Sequence, residues 1–189
     1  FQSSNCGLNI HWPDSVKQFH AGKPLKNIIL RVKDTVSRGE AMITDYGLEG
    51  NAVYPLIPEI RKILSSGEVP VISVDFKPLN TMEQFTGKIT GSNVKTTNYA
   101  TIFNLNSTSM ALIKSYSDKV SYTSPDSFIN LLKNLPIPVE SLRPIQEAIS
   151  TVGGLNTDEL NPDFSLKKFP AVYCVGEMAD WDAPTGGFL

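Results

Sequence analysis

Histidine and cysteine are scarce in this sequence, and their scarcity limits the chemistry it predicts. The 189 residues include two histidines, His11 and His20, and two cysteines, Cys6 and Cys174. These four residues have no metal-ligand spacing, so we predict no metal site. The many serines and acids have no partner base placed beside them by sequence. We expect both histidines to be surface or structural residues.

Other signals of a self-contained enzyme or a membrane protein are missing as well. The sequence has no Gly-x-Ser-x-Gly elbow and no phosphate-binding P-loop. It contains no apolar run of membrane-spanning length and no visible signal peptide. The net charge of −2 gives no reason to expect nucleic acid or an anionic membrane as a partner. We therefore expect a cytoplasmic protein with reduced cysteines, although a disulfide is possible in principle.

The composition is that of an ordinary globular protein of one or two small domains. Hydrophobic residues make up 41% of the chain and charged residues 19%. The sequence begins at Phe1 without methionine. We interpret it as part of a longer protein, and a processed or tagged chain is the alternative.

The first part of the chain has the pattern of a β domain. Residues 27–33 and 40–44 are predicted strands joined by a short turn at 37–39, and residues 71–76 alternate as a half-buried strand does. A helix is predicted at about 54–66, with its prolines confined to the first turn. The chain is expected to return to strand at 145–152.

The middle of the chain is predicted to be helical. A capping box begins at Thr81, Asn106 or Ser107 can cap a helix to about residue 116, and Ser124 begins a helix with apolar positions as far as Leu135. We predict the α+β class, with a small β-barrel-like domain (1–80 and 141–150) that carries an inserted helical subdomain (81–140).

The last nineteen residues have the layout of a buried strand that delivers a ligand loop. The apolar residues 171–175 lead into Gly176–Glu177, and Gly186–Gly187 follow a short polar loop. In open α/β sheets, nucleotides bind at the carboxyl ends of such strands. Cys174 is predicted to be a small buried hydrophobic residue in this strand.

Two features of this region have more than one interpretation. The pairs Gly153–Gly154 and Gly186–Gly187 can serve tight turns, or they can allow the backbone to approach a flat or phosphorylated ligand. Asp180 and Asp182 can bind metal, act as acid and base, accept hydrogen bonds from a sugar, or lie in a solvated loop. Spacing alone does not decide between these interpretations.

At these residues the sequence resembles a family of bacterial flavoproteins, the NAD(P)/FAD-dependent oxidoreductases of the aminoacetone-oxidase-like group. The segment GEMADWDAPTGGFL resembles their carboxyl-terminal FAD motif. Residues 5–7, 21–26, 46–54 and 152–155 are similar to the same family in the same order. The similarity is weak across the helical middle.

The resemblance implies a division of the chain and a cofactor. Residues 1–150 would be an insert of barrel and helical bundle, and 151–189 a truncated return segment of a Rossmann-type FAD domain. Gly176, Glu177, Asp180 and Asp182 would lie near the FAD ribityl and pyrophosphate. Three further residues, Gly186, Gly187 and Phe188, would open a helix that faces the flavin ring. Gly153 and Gly154, with residues 47–50, would line its reactive face.

The family's Gly-x-Gly-x-x-Gly fingerprint is absent from this sequence. We therefore expect this chain to have an amino-terminal FAD domain, which is missing from the sequence, as its partner. We expect no tight binding of FAD by these residues alone. We call the longer protein to which this chain would belong the parent. In the parent we expect a small-molecule substrate, with NAD(P)H as a candidate partner. The catalytic residues stay unknown. The alternative function is a non-catalytic binding or interaction module. An independent hydrolase that uses Asp180 or Asp182 is unsupported.

Overall fold

A computed structural model describes residues 1–89 and 95–184 and shows a mixed α+β protein, which confirms the predicted fold class. The described strands are β1 Gln2–Ser4, β2 Leu8–Asn9, β3 Pro24–Val32, β4 Thr35–Ile43, β5 Gly47–Glu49, β6 Val71–Asp75, β7 Leu135–Pro138, β8 Ser141–Leu142 and β9 Ser150–Val152. The described helices are α1 Asp14–His20, α2 Ile57–Ser65, α3 Met82–Ile89, α4 Tyr99–Ile102, α5 Ser107–Ser115, α6 Lys119–Thr123 and α7 Pro125–Lys133.

Seven of the strands form one strongly curled, barrel-like sheet. Its order is β7-β6-β3-β4-β5-β2-β8, with antiparallel pairing throughout. The two edge strands are consecutive in sequence. Between them, Val139 N–H donates to Pro70 O and Glu140 N–H donates to Asn9 O. A single segment, 135–142, therefore supplies both edge strands of the sheet.

The long hairpin of β3 and β4 is predicted from its apolar pattern, but the position of its turn is not. Ile28, Leu30 and Val32 alternate inward along β3 and are buried. The loop is the two-residue connection 33–34, so the turn predicted at 37–39 is wrong. Gly39 lies inside β4, where an added Cβ would be 2.6 Å from Asn51 Oδ1. This glycine makes room for a side chain rather than for a turn.

Helices α3 and α5 begin where the sequence places their caps. Thr81 Oγ1 accepts from Gln84 N–H while Gln84 Oε1 accepts from Thr81 N–H, which confirms the capping box. Asn106 caps α5 by accepting from Ser109 N–H at 2.8 Å. The predicted helix at 54–66 is also confirmed, with residues 54–56 as a 3₁₀ turn before α2.

An aromatic cluster packs at the centre of the helical bundle, which comprises α3 to α7. The rings of Tyr99 and Phe128 lie 4.3 Å apart between centroids, and Phe103 is 5.5 Å from Phe128. Phe85 packs edge-on against Phe103 at 5.4 Å. These four rings are almost fully buried, so they provide the bundle with its own apolar centre.

A buried ion pair joins the bundle to the sheet. Lys133, the last residue of α7, places Nζ 2.7 Å from Asp75 Oδ2 at the end of β6. The Asp75 side chain is 2% exposed and that of Lys133 is 13% exposed. Lys133 Nζ also donates to Lys77 O and Asn80 O, both at 2.8 Å. The ammonium therefore holds the chain that leaves β6 against the end of α7.

Two predicted elements differ from those observed. Leu135 is not helical, because α7 ends at Lys133 and residues 135–138 pair with β6 as an edge strand. Pro136 and Pro138 fit there, since an edge strand can present residues without N–H groups away from its partner. Of the strand predicted at 145–152, only 150–152 is a strand, and residues 145–147 form a 3₁₀ turn.

Residues 151–184, which we call the tail, contain little regular structure after β9. The predicted buried strand at 171–175 is wrong: its residues are exposed apart from Cys174, and the segment makes one isolated bridge, between Tyr173 and Ser165. Its apolar residues have no neighbouring sheet among the described residues, so strand propensity alone does not form a strand here. Cys174 is buried as predicted, and both cysteines are free.

We expect Asp75→Ala to lower the free energy of unfolding by about 3 kcal/mol, because Lys133 would keep a largely buried charge without its counter-ion. Urea denaturation measures this loss. The control is Glu159→Ala, which removes the acid of an exposed pair with Lys168 and should cost less than about 1 kcal/mol. Equal losses in the two variants would contradict the importance of the buried pair.

Candidate functional site

The candidate site lies where the tail returns to the first residues of the chain. Strands β1 and β9 form a two-stranded antiparallel ribbon in which Gln2 faces Val152 and Ser4 faces Ser150. Gly153 and Gly154 follow this ribbon directly. Residues 179–183 then come back beside it. The ribbon therefore brings together four of the predicted site residues, namely Gly153, Gly154, Asp180 and Asp182.

The Gly153–Gly154 turn is required by close contacts with Phe1 and Met178. Both residues have positive φ angles, +93° and +109°. A Cβ on Gly154 would lie 2.7 Å from Met178 O. Gly153 N–H donates to Asp180 Oδ1 at 2.9 Å, and Asp180 N–H donates to Leu155 O at 2.7 Å. The Asp180 carboxylate thus already receives one N–H group of the glycine turn.

Asp182 fastens the tail to the barrel-like domain. Its Oδ2 is 2.7 Å from Arg61 Nη1 on α2, and its Oδ1 accepts a hydrogen bond from Ser4 Oγ. Arg61 Nη2 also donates to Ser3 O at 2.8 Å. One guanidinium therefore bridges the tail and β1. The remaining nitrogen, Nε, is buried without a partner in the described residues.

A buried asparagine completes this attachment. Asn5 is 3% exposed, and its Nδ2 donates to Ser150 Oγ at 2.7 Å and to Ala183 O at 2.9 Å. Its φ angle of +43° is one that asparagine adopts more readily than most residues. Asn5 thus links the end of β1, the start of β9 and the tail.

Sequence reasoning missed the residues that receive the tail. Arg61 and Ser4, which both contact Asp182, come from separate parts of the chain. A weak signal was present for Arg61, because it lies four residues after the buried Ile57, close to the apolar face of α2. A charged residue near such a face indicates a partner from elsewhere in the fold.

Gly176 and Glu177 come shortly before Asp180 and Asp182 in the chain. They begin a 3₁₀ turn at 176–178, and Glu177 is exposed. Gly176 adjoins a cavity of about 330 Å³ with otherwise mostly apolar walls. The lining residues are Thr157, Leu160, Phe164, Val175, Gly176, Ala179 and Trp181. The predicted residues Gly186, Gly187 and Phe188 lie outside the described part of the chain.

The glycine-rich turn at 46–50 has a structural explanation. Gly47 belongs to β5 and pairs with β2, where an added Cβ would lie 1.9 Å from Leu8 O.

Tyr46 donates its hydroxyl proton to Glu49, and the Arg143 guanidinium lies 4.1 Å from the Tyr46 ring centroid. Burial and the bond to Glu49 raise the pKa of Tyr46 to about 12, so this phenol is neutral at physiological pH.

The described residues provide no evident nucleophile or metal centre. Burial raises the pKa of the Cys6 thiol, which makes it a poor nucleophile at neutral pH. The carboxylates of Asp180 and Asp182 are engaged as described above. Among residues 1–89 and 95–184, no three His, Cys, Asp or Glu side chains come together as metal ligands. None of the described helices is long and apolar enough to cross a membrane.

The fold therefore defines an α+β protein in which a barrel-like sheet carries a helical bundle. Residues 2–150 match the family described as "HI0933-like protein barrel and H2TH domain". This match covers well over half of the chain, so the protein belongs to that family, which is tied to FAD-dependent oxidoreductase-like proteins.

We expect Asp182→Asn to increase chymotrypsin cleavage of the tail about tenfold, because loss of the ion pair with Arg61 favours local opening. The exposed residues Phe164, Phe169 and Tyr173 offer cleavage sites. Cleavage is followed by mass spectrometry of the native protein. Asp158→Asn, at an exposed acid of the same segment, should leave the rate unchanged. An unaltered rate in Asp182→Asn would show that the pair does not hold the tail.

We expect Gly154→Ala to accelerate amide hydrogen exchange at Leu155, whose N–H donates to Met178 O. An alanine Cβ would collide with that same oxygen, so the backbone must shift. Gly176→Ala is the matched control, because Gly176 also has a positive φ, +66°, but has open space around its Cβ position. Similar exchange at Leu155 in the two variants would contradict the steric explanation.

Proposed function

We propose that this chain is the substrate-side part of an FAD-dependent oxidoreductase. The barrel-like domain would cover the flavin and shape the pocket for a small-molecule substrate, while the tail would belong to the FAD-binding domain. The family match supports the flavoprotein assignment. The observation that carries the proposal is the attachment of the tail, in which the segment resembling an FAD motif lies against β1 and β9.

The exposed apolar residues of the tail support the proposal that another part of the parent packs against it. Phe164, Phe169, Tyr173, Val175 and Trp181 are each between 45% and 63% exposed. Several of these side chains line the cavity beside Gly176. Clusters of exposed aromatic and aliphatic side chains are typical of interfaces. We propose that the missing dinucleotide-binding half, which carries the Gly-x-Gly-x-x-Gly fingerprint, covers them.

Two features of the described residues support contact with one edge of a flavin nucleotide. Glu177 is exposed and has no partner among the described residues, so its carboxylate is free to accept hydrogen bonds from ribityl hydroxyl groups. Gly176 leaves open space beside the apolar cavity. Asp180 and Asp182 are engaged with Gly153 and Arg61. We propose that these two aspartates position the loop, and that Glu177 contacts the cofactor.

The flavin would supply the hydride or electron transfer when it is bound. The residues of this chain would exclude water from the ring, orient the substrate and hold the FAD loop in place. The role predicted for Gly186, Gly187 and Phe188 falls outside the described residues and stays a prediction. NAD(P)H is the candidate electron donor in the parent.

Absorbance spectroscopy tests this function on two proteins. The parent, purified with its dinucleotide-binding half, should show the visible bands of an oxidised flavin, and the bands should bleach on anaerobic reduction. The 189-residue chain should give no bound, yellow species of sub-micromolar affinity when titrated with FAD, because the phosphate-binding fingerprint is absent from it.

The two measurements separate the alternatives. A parent that contains no flavin and binds none would contradict the oxidoreductase and favour a non-catalytic interaction module. Tight binding of FAD by the 189-residue chain would instead contradict the division of the flavin site between two parts of the parent. Glu177→Gln in the parent should weaken FAD binding several-fold, while Glu159→Gln should leave it unchanged.

A further inference from the structure

A second candidate site lies between the sheet and the helical bundle, and it shares no residue with the tail. Two neighbouring cavities, of about 220 Å³ and 310 Å³, have Lys26, Phe76 and Lys77 in common. The smaller cavity also reaches the first turn of α5 at Asn106 and Ser109. Strand β3, the end of β6 and helix α5 thus contribute to one polar recess.

The recess contains positive charge without a matching acid. Neither Lys26 nor Lys77 forms an ion pair with a described residue, and no acidic side chain lines either cavity. The preceding acid, Asp75, is occupied by Lys133 and by the Lys77 N–H group. Burial and the nearby charge of Lys88 lower the pKa of Lys77. An anion in the recess would relieve this repulsion.

The first turn of α5 adds hydrogen-bond donors to these charges. Helix α5 has nine residues, and its Asn106 cap already accepts from the Ser109 N–H group. The N–H groups of Ser107 and Thr108 stay without a partner among the described residues. Ser109 is only 6% exposed and lines the smaller cavity, yet its hydroxyl has no partner in the described chain. The neighbouring Thr108 hydroxyl, by contrast, lies 3.1 Å from His20 Nδ1. The Ser109 hydroxyl reaches the cavity instead of being enclosed, so it can donate a hydrogen bond to a ligand bound there.

We propose that this recess binds the phosphate group of a small molecule, with Lys77 and Lys26 as counter-charges and Ser109 as a hydrogen-bond donor. A phosphate group carries close to two negative charges at neutral pH and three acceptor oxygens. Two unpaired lysines, a hydroxyl and a helix N-terminus match that charge and that number of acceptors. A single carboxylate would neutralise only one of the lysines. The combined cavities leave room for the rest of a phosphorylated metabolite.

Titration of the 189-residue chain with inorganic phosphate at constant ionic strength tests the proposal. Amide ¹H–¹⁵N shifts at Lys77 and in the first turn of α5 should move saturably. Lys77→Gln should weaken binding about tenfold, since it removes a charge-assisted contact. Ser109→Ala should weaken it about threefold and should fold normally, because it removes only a hydroxyl without a partner.

Two matched variants control for general charge and helix effects. Lys62→Gln removes an exposed lysine of α2 and Ser107→Ala removes an exposed hydroxyl of the same turn of α5; both should bind phosphate as the unmodified chain does. Non-saturable shifts, or equal affinity in the Ser109→Ala and Lys77→Gln variants and the unmodified chain, would overturn the proposal. Acetate that binds as tightly as phosphate would also overturn it, because it would identify a carboxylate site.

Discussion

The segment 135–142 is the constraint on which the rest of the structure depends. Its first half pairs with β6 and its second half with β2, so both edges of the seven-stranded sheet end on one continuous stretch of chain. Both edge strands form only if this stretch is in register with β6 and with β2. The helical bundle comes directly before it, and α7 is fixed to β6 by the pair of Lys133 and Asp75. The position of the bundle is therefore tied to the pairing of this segment.

The tail uses a different kind of attachment. Most of its backbone hydrogen bonds lie within the tail itself, and it is held to the barrel-like domain by polar contacts of Asp182 and Ala183. Arg61 is central, because one guanidinium contacts both the Asp182 carboxylate and the carbonyl of Ser3. Polar contacts of this kind depend on accurate geometry and contribute little without it. Under the proposed function, these contacts would hold the tail in one orientation while its apolar residues face the FAD-binding domain.

Local signals in the sequence predict the elements that local interactions stabilise. The caps at Thr81 and Asn106 and the apolar face of α2 are of this kind, since each depends on residues a few positions apart. The turn at 33–34 and the strand at 135–138 are not, because they are decided by the pairing of β3 with β4 and of residues 135–138 with β6. The same holds for the site: Gly153 and Asp182 are visible in sequence, whereas Arg61 becomes visible only when α2 and the tail meet.

The segment 171–175 shows how a wrong structural prediction can still inform function. Its residues have the composition of a strand, but four of the five are exposed and no sheet lies beside them in the described chain. Exposed Val172, Tyr173 and Val175 keep their apolar surface in water, which is unfavourable by about 25 cal/mol for each Å² that a partner could cover. Under the proposed function, a neighbouring strand of the FAD-binding domain would bury these side chains and pair their backbone. The strand pattern would then be a property of the assembled flavin site, to which the barrel-like domain contributes the anchor at Arg61.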